Sequence, residues 1–247
     1  AAQAVSASAD PQSRTQELLR RWAGQPTRSN KQYTIPPTDW CVTLSQLENL
    51  LDTVSVAYPD EDPQVYDVVK KFVKPETKDA GVGFALTVNP EGLKIKYFIS
   101  HAWSEGFKEF CRVLIERQFQ GGLWICFLAN PQNWGKEALS GLLGQNPRQS
   151  PFAVALREAE AVIVVRTVRR NLYTRLWCVY ELYLAHQFGK RTLILGQMPP
   201  GEPLEIRDGV GFDATCGSSG DTQMLQAALS RKKQEVNRCV LQALRAK

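Results

Sequence analysis

The sequence has little histidine, no closely paired cysteines and no long apolar run, and each absence excludes a class of protein. Only His101 and His186 occur, and none of the six cysteines forms a CxxC pair, so we expect no metal site. No apolar run reaches the roughly 18 residues that a membrane span needs. A net charge of +5 is mild, and no run of five like charges exists, so we expect no nucleic-acid binding.

Motifs of several enzyme classes are also missing. The chain has no GxxxxGK[ST] phosphate loop and no GxSxG nucleophile elbow. Gly81 and Gly83 lack a third spaced glycine and a strand–helix context, so they form no dinucleotide fingerprint. Several cysteines lie inside apolar segments, as free buried thiols do. This usage indicates an intracellular, reducing compartment without a disulfide framework.

The hydrophobic fraction of 43% in 247 residues is enough for a real core. The chain opens with AAQAVSASA, which is small, uncharged and without Met. This start predicts a chain from which a targeting segment has been removed, and thus an organellar location such as a plastid.

We expect an extended arm over residues 1–36, a helical region over 37–92 and an α/β domain over 93–247. An arm that cannot hold a core alone is typical of a segment that orders on a partner.

Hydrophobic periodicity predicts the secondary structure. Before residue 93 we expect one helix near residues 38–54, capped by Thr38 or Asp39, and another over 65–73. After it, apolar strands alternate with helices; the strands are predicted at 93–100, 122–129, 161–166, 191–196 and, as a short last strand, within 204–216. This order predicts an α/β fold, a flavodoxin-like doubly wound parallel sheet of about five strands with an N-terminal helical extension.

In such sheets a ligand binds at the carboxyl ends of the strands. The loops after Ser100, Ala129 and Arg166 should therefore lie close together. The loop of about twenty residues after Ala129 is rich in Gly, Pro and Asn.

Three segments resemble the Toll/interleukin-1 receptor (TIR) domain. They are YFISHAWSE (97–105), LREAEAVIVVR (156–166) and TRLWCVYEL (174–182). The resemblance covers about residues 93–220, and the sequences of these segments are most similar to those of divergent TIR-like proteins of algae and other protists. It departs from the family in having one more residue between Thr174 and Trp177, a different loop after the first strand, and a long loop after the second.

The resemblance implies two different functions. Some TIR domains only assemble with other proteins, and others hydrolyse NAD+ to release nicotinamide. In the catalytic ones the glutamate of the WxxxE motif is essential, which is Glu181 here. The resemblance also implies a nucleotide site lined by Ser100, His101, Glu105 and Trp177.

Glu181 lies in a helix that is otherwise nearly all apolar. A carboxyl group there must point into a cleft, pair with a cation such as Arg175, or be partly desolvated. As a catalyst, its negative charge would stabilise the positive charge that builds on the ribose when nicotinamide leaves. As a structural residue, it would hold a neighbouring loop or pair with an arginine.

We therefore expect either a protein-interaction or structural module, such as an accessory subunit of an organellar assembly, or an NAD+ glycohydrolase. The module needs no cofactor, whereas the enzyme takes NAD+ as substrate. The module would bind other proteins or itself through TIR-like surfaces and the arm. Exposed tryptophans would suit such an interface; the candidates are Trp22, Trp40, Trp103 and Trp134.

Overall fold

The computed structural model describes residues 35–135, 138, 141–142, 144 and 146–246. All but the last two residues of the predicted arm, and Trp22 with them, lie outside these residues. Within them the chain forms a parallel four-stranded sheet in the order β2-β1-β3-β4. The strands are β1 (Ile95–Ser100), β2 (Gly122–Ile125), β3 (Ala161–Arg166) and β4 (Arg191–Gly196).

Helices precede and connect the strands. Before β1 come α1 (Leu44–Ala57), α2 (Val65–Val68), a π-helical segment (Val69–Val73), α3 (Lys74–Glu76) and α4 (Phe84–Val88). After it come α5 (Phe107–Ile115), α6 (Cys126–Ala129), α7 (Pro151–Glu158), α8 (Leu176–Gln187), α9 (Ser219–Leu229) and α10 (Lys233–Arg245). Within the described part of the chain, no helix combines the length and the hydropathy needed to cross a bilayer.

Helices cover both faces of the sheet. Successive strand residues point to opposite faces, so each strand contributes side chains to both layers. In β1, Phe98 packs into the cluster formed with α7, α8, α9 and α10, whereas Ile99 packs into the cluster formed with α1, α2 and α5. In β3, Val162 and Ile163 divide in the same way. The predicted doubly wound α/β fold is therefore confirmed, with β1 and β3 in the centre of the sheet.

The sheet has four strands in the described residues, where we expected about five. The last strand was predicted within 204–216, but that segment contains a 3-10 helix, Gly211–Asp213. Gly209 and Gly211 have φ values of +77° and +72°, which an extended strand does not allow. Asn237 of α10 instead accepts a hydrogen bond from the Phe212 backbone N–H at 2.9 Å, which holds the segment on α10.

The second strand is shorter than predicted. We expected a strand over 122–129, but β2 ends at Ile125 and the chain turns into α6 at Cys126. The apolar run continues because Phe127 and Leu128 are buried in the core as helical residues. A short apolar run does not by itself distinguish a strand from a buried helix.

The helical region before residue 93 packs directly on the sheet. Backbone groups of Val42 and Leu123 exchange hydrogen bonds of 3.1 and 2.8 Å, so residue 42 pairs beside the edge strand β2. Helix α1 starts later than predicted, because Thr43 and Gln46 form a capping box there. Thr38 and Asp39, the expected caps, lie in a preceding 3-10 turn.

Two of the tryptophans predicted for an interface lie inside the molecule. Trp40 and Trp134 are both buried, and Trp103 is partly buried. Trp40 donates from Nε1 to the Ile35 carbonyl and Trp134 to the Gly81 carbonyl, each at 3.1 Å. A buried indole commonly finds a hydrogen-bond acceptor in this way, so Trp40 and Trp134 offer no exposed interface.

Candidate functional site

The carboxyl end of β1 brings four of the five predicted site residues together. Ser100 is the last residue of this central strand and pairs with Val164 of β3. His101 follows it directly, and the loop then leads to Glu105 and the start of α5. Doubly wound sheets place their ligand sites at this edge.

Helix α8 carries Glu181 towards the end of β1. Nine of its twelve residues are buried, because α8 packs against α7 and α10 as well as the sheet. The Glu181 carboxyl accepts a hydrogen bond of 2.6 Å from the Ser100 hydroxyl. The partner that the structure gives Glu181 is therefore a hydroxyl rather than an arginine.

Burial changes the charge state of Glu181. The residue is 4% exposed, and loss of hydration raises its pKa from 4.5 to about 8, although the Ser100 hydrogen bond opposes the rise. The group is mostly an uncharged carboxylic acid at neutral pH. It can bridge α8 to β1 by hydrogen bonding, but it carries little negative charge there.

His101 and Glu105 form a second pair. His101 Nδ1 lies 2.9 Å from Glu105 Oε1, and both side chains are buried. Burial raises the pKa of Glu105 well above its ordinary value; a backbone hydrogen bond from Ala102 opposes this, while the carboxylates of Glu109 and Asp62 add to it. A carboxyl group in that position fixes the orientation of the histidine ring.

The loop that carries this pair is held by the helical region before β1. The backbone N–H groups of Val65 and Tyr66 donate to the Glu105 and Trp103 carbonyls, each at 3.3 Å. Asp62 accepts hydrogen bonds from two backbone N–H groups in the first turn of α5. Gly106 permits this approach, because a Cβ there would overlap the Asp62 carboxyl.

Cys126 is a further member of the cluster that the sequence analysis missed. Its Sγ lies 3.2 Å from His101 Nε2 and 3.1 Å from the Trp103 Nε1 donor. Cys178 of α8 reaches the same place, where its Sγ donates to the His101 carbonyl at 3.2 Å. Because the second strand was predicted to continue to residue 129, Cys126 looked like a strand-interior residue rather than one at a strand end.

Trp177 packs away from this group. Its ring stacks on Phe152 of α7 with a centroid distance of 4.9 Å, and its Nε1 donates to Asp221 of α9 at 3.2 Å. Helical spacing places Trp177 and Glu181 on neighbouring positions of α8. However, the contacts of Trp177 lie in the layer between α7, α8 and α9.

The cluster is closed to solvent. Exposure is 1% for Ser100 and Glu105 and 4% for His101 and Glu181. Two surface grooves lie elsewhere, one of about 690 Å³ along α10 and one of about 530 Å³ between α1 and α4. Among the described residues, no group of three or more His, Cys, Asp or Glu side chains is arranged to hold a metal ion.

Comparisons with protein-family models, with curated proteins and with solved structures find no match for the chain. The fold and the site define its class: a doubly wound α/β protein with a buried polar cluster at the carboxyl end of its central strand β1.

Proposed function

We propose that the chain is a TIR-like protein-interaction module in which Glu181 is a structural carboxyl group. The observation that carries this proposal is the closed Ser100–Glu181 hydrogen bond of 2.6 Å, with Glu181 4% exposed. The strand order β2-β1-β3-β4 supports the TIR-like part, because flavodoxin-like sheets begin with the order 2-1-3-4.

Catalysis on NAD+ would place different demands on this site. A nucleotide needs a concave pocket of several hundred cubic ångströms, and its ribose must reach the carboxylate. The transition state also needs a negative charge near the sugar. Glu181 is 4% exposed, so no pocket among the described residues brings a ribose to its carboxyl group. With a pKa of about 8, the group is also mainly uncharged at neutral pH. Both observations count against the enzyme.

The NAD+ glycohydrolase remains the second candidate because Glu181 lies at the carboxyl end of β1, next to Ser100. In that function Ser100, His101, Glu105 and Trp177 would form the nucleotide site, and the cluster would have to open. Neither function requires a cofactor, and NAD+ would be the substrate of the enzyme.

Nicotinamide release from NAD+ distinguishes the two functions. The full-length chain and its Glu181→Gln variant, which keeps the shape of the side chain, are assayed side by side. We expect no release above the uncatalysed rate from either protein. Release by the wild type that the variant lacks would overturn the module proposal in favour of the enzyme.

A positive test of the module is its assembly. We expect sedimentation velocity of the full-length chain to give a mass that rises above the monomer as concentration increases. A monomer mass throughout would contradict self-association.

The module would act as an accessory subunit of a larger assembly inside a reducing compartment. The six free cysteines support the reducing compartment. A plastid location stays a prediction, and microscopy of the tagged natural protein tests it.

A further inference from the structure

Three side chains at the ends of β1 and β2 are aligned in the order thiol, imidazole, carboxyl. Cys126 Sγ lies 3.2 Å from His101 Nε2, and His101 Nδ1 lies 2.9 Å from Glu105 Oε1. A nucleophile within reach of a base, which a third group orients, is the geometric signature of nucleophilic catalysis. Neither the module nor the NAD+ hydrolase makes use of the thiol.

The hydrogen-bonding capacity of each group fixes the direction of the proton path. The indole N–H of Trp103 can only donate, so Cys126 Sγ is its acceptor at 3.1 Å. Burial raises the pKa of Glu105, so its ionised form is the reactive form of the cluster rather than the resting one. An ionised Glu105 can only accept, which places the neutral histidine proton on Nδ1. Nε2 of His101 is then free to accept the thiol proton. Once it has done so, the sulfur accepts hydrogen bonds from two donors, Trp103 Nε1 and His101 Nε2.

The other cysteines have different surroundings. Burial raises the pKa of the thiols of Cys111 and Cys178 well above the ordinary value, and it raises that of Cys216 to about 11. Cys216 is half-buried and is therefore a useful reference thiol. A thiol without a nearby base is a weak nucleophile at neutral pH.

We propose that Cys126 is a nucleophilic thiol, activated by His101 and positioned through Glu105, that accepts a short, uncharged acyl group from an ester or thioester. This site is separate from the proposed module function.

The step is an acyl transfer without any change of oxidation state. His101 Nε2 takes the proton from Cys126, and the sulfur attacks the carbonyl carbon of the donor. The bond between that carbon and the departing oxygen or sulfur breaks, and His101 returns the proton to the leaving group. The products are a thioester on Cys126 and a free alcohol or thiol.

The surroundings of Cys126 select the acyl group. The residue is 8% exposed, so only a small group can reach it. The rings of Trp103 and Phe127, with centroids 6.5 Å apart, lie beside the cluster, and Phe127 also packs on His101. Moving a charged group into such an apolar site is costly, and the nearby carboxyl groups add to the cost for an anion.

The titratable groups that surround the pair come from several elements. They are Glu105 from the loop after β1, Asp62 from the segment before α2, Glu109 and Cys111 from α5, Arg175 just before α8, and Cys178 and Glu181 from α8.

The full-length chain is treated with p-nitrophenyl acetate, and peptide mass mapping locates the acetyl group. We expect acetylation of Cys126 at least about tenfold faster than of Cys216 at neutral pH. His101→Gln should lower the rate at Cys126 by about a hundredfold or more, and Cys126→Ala should abolish the fast release of nitrophenol. Cys216→Ala, the matched control, should leave the fast phase unchanged.

The positioning role of Glu105 has its own readout. Glu105→Gln keeps an oxygen that accepts from His101 Nδ1 but cannot ionise. Because burial raises the pKa of Glu105, we expect the wild-type acetylation rate to rise with pH as Glu105 ionises, and we expect the variant to lose that rise. An unchanged pH profile would overturn this role.

A second probe guards against variants that do not fold. Iodoacetamide alkylation of the wild type alone should be faster at Cys126 than at Cys216 at neutral pH. The proposal is overturned if acetylation or alkylation is slower at Cys126 than at Cys216. It is also overturned if a folded His101→Gln variant, verified by circular dichroism, reacts as fast as the wild type.

Discussion

Glu181 and Glu105 are two buried carboxyl groups with different partners. Glu181 accepts from a neutral hydroxyl, Ser100, whereas Glu105 faces a titratable ring, His101. Burial raises the pKa of both carboxyl groups, because the charged form loses its hydration. Glu105 can recover that loss by stabilising an imidazolium, whereas Glu181 has no such partner on Ser100. The uncharged form is therefore the expected state of Glu181.

Stability should depend on pH through Glu181. Its pKa is about 8 in the folded chain, and we take the ordinary value of 4.5 for the unfolded chain. Below 4.5 the group is protonated in both the folded and unfolded chain and costs nothing. Between 4.5 and about 8 the unfolded chain releases the proton that the folded chain keeps, so the free energy of unfolding falls as pH rises.

The Glu181→Gln variant cannot ionise and should escape this loss. Urea denaturation from about pH 5 to 8 should give the variant a stability advantage over the wild type that grows by a few kcal/mol. The control, Glu158→Gln, changes an exposed glutamate and should show no growing advantage. Parallel pH dependence of Glu181→Gln and the wild type would contradict the prediction.

At this scale the sequence revealed part of the cluster. An acidic residue in an apolar helix and a serine at a strand end are both visible as patterns, and the structure joins them. The role of Cys126 was hidden, because only the folded chain reveals that β2 ends at Ile125. The burial of Trp40 and Trp134 was also hidden, since their acceptors are backbone carbonyls, which no side-chain pattern predicts.

The end of β4 is held against β3 by a close backbone approach. Gly196 has a φ of +73°, and a Cβ there would overlap the Arg166 carbonyl oxygen. Arg166 also donates from its guanidinium to the Gly196 carbonyl at 3.1 Å. Gly189, after α8, has a similar φ of +60° but open space around it.

The two glycines form a matched pair for substitution. Gly189→Ala should cost about 1 kcal/mol, because only the left-handed backbone is strained. Gly196→Ala should cost roughly 3 kcal/mol or more, since backbone atoms must also move apart. Thermal and urea denaturation of both variants measure the difference, and equal costs would show that β3 and β4 do not meet as described.

The elements themselves were largely predictable. Strands that are apolar on both faces have a clear pattern, and β1, β3 and β4 appear where it indicates. The predicted fifth strand failed because Gly209 and Gly211 have positive φ values. Gly211 lies against Asn237 of α10, a contact that the sequence pattern does not contain.

At the scale of the whole molecule, the helical region before β1 and the sheet share a core. Leu47 of α1 is fully buried in the same cluster as Ile99 and Ile163, and residue 42 pairs beside β2. Helix α1 also packs along α5. We infer that residues 37–92 and the sheet unfold together.

Leu47→Ala tests this coupling. Removing a buried leucine side chain should cost about 2 to 5 kcal/mol, and it should lower the unfolding midpoints by circular dichroism and by tryptophan fluorescence equally. Val56→Ala, at a position of α1 that is 85% exposed, should change stability by less than about 0.5 kcal/mol. Two separated transitions, with only one affected by Leu47→Ala, would contradict a shared core.

The most direct test of the account is the titration of the Glu181 carboxyl carbon, followed by ¹³C NMR in the full-length chain. Comparison with the Glu181→Gln variant assigns the resonance. The account predicts a pKa of about 8, because burial removes the hydration of the carboxylate and outweighs the opposing hydrogen bond from Ser100. A pKa at or below the ordinary 4.5 would contradict it, since the carboxylate would then face water or a cation.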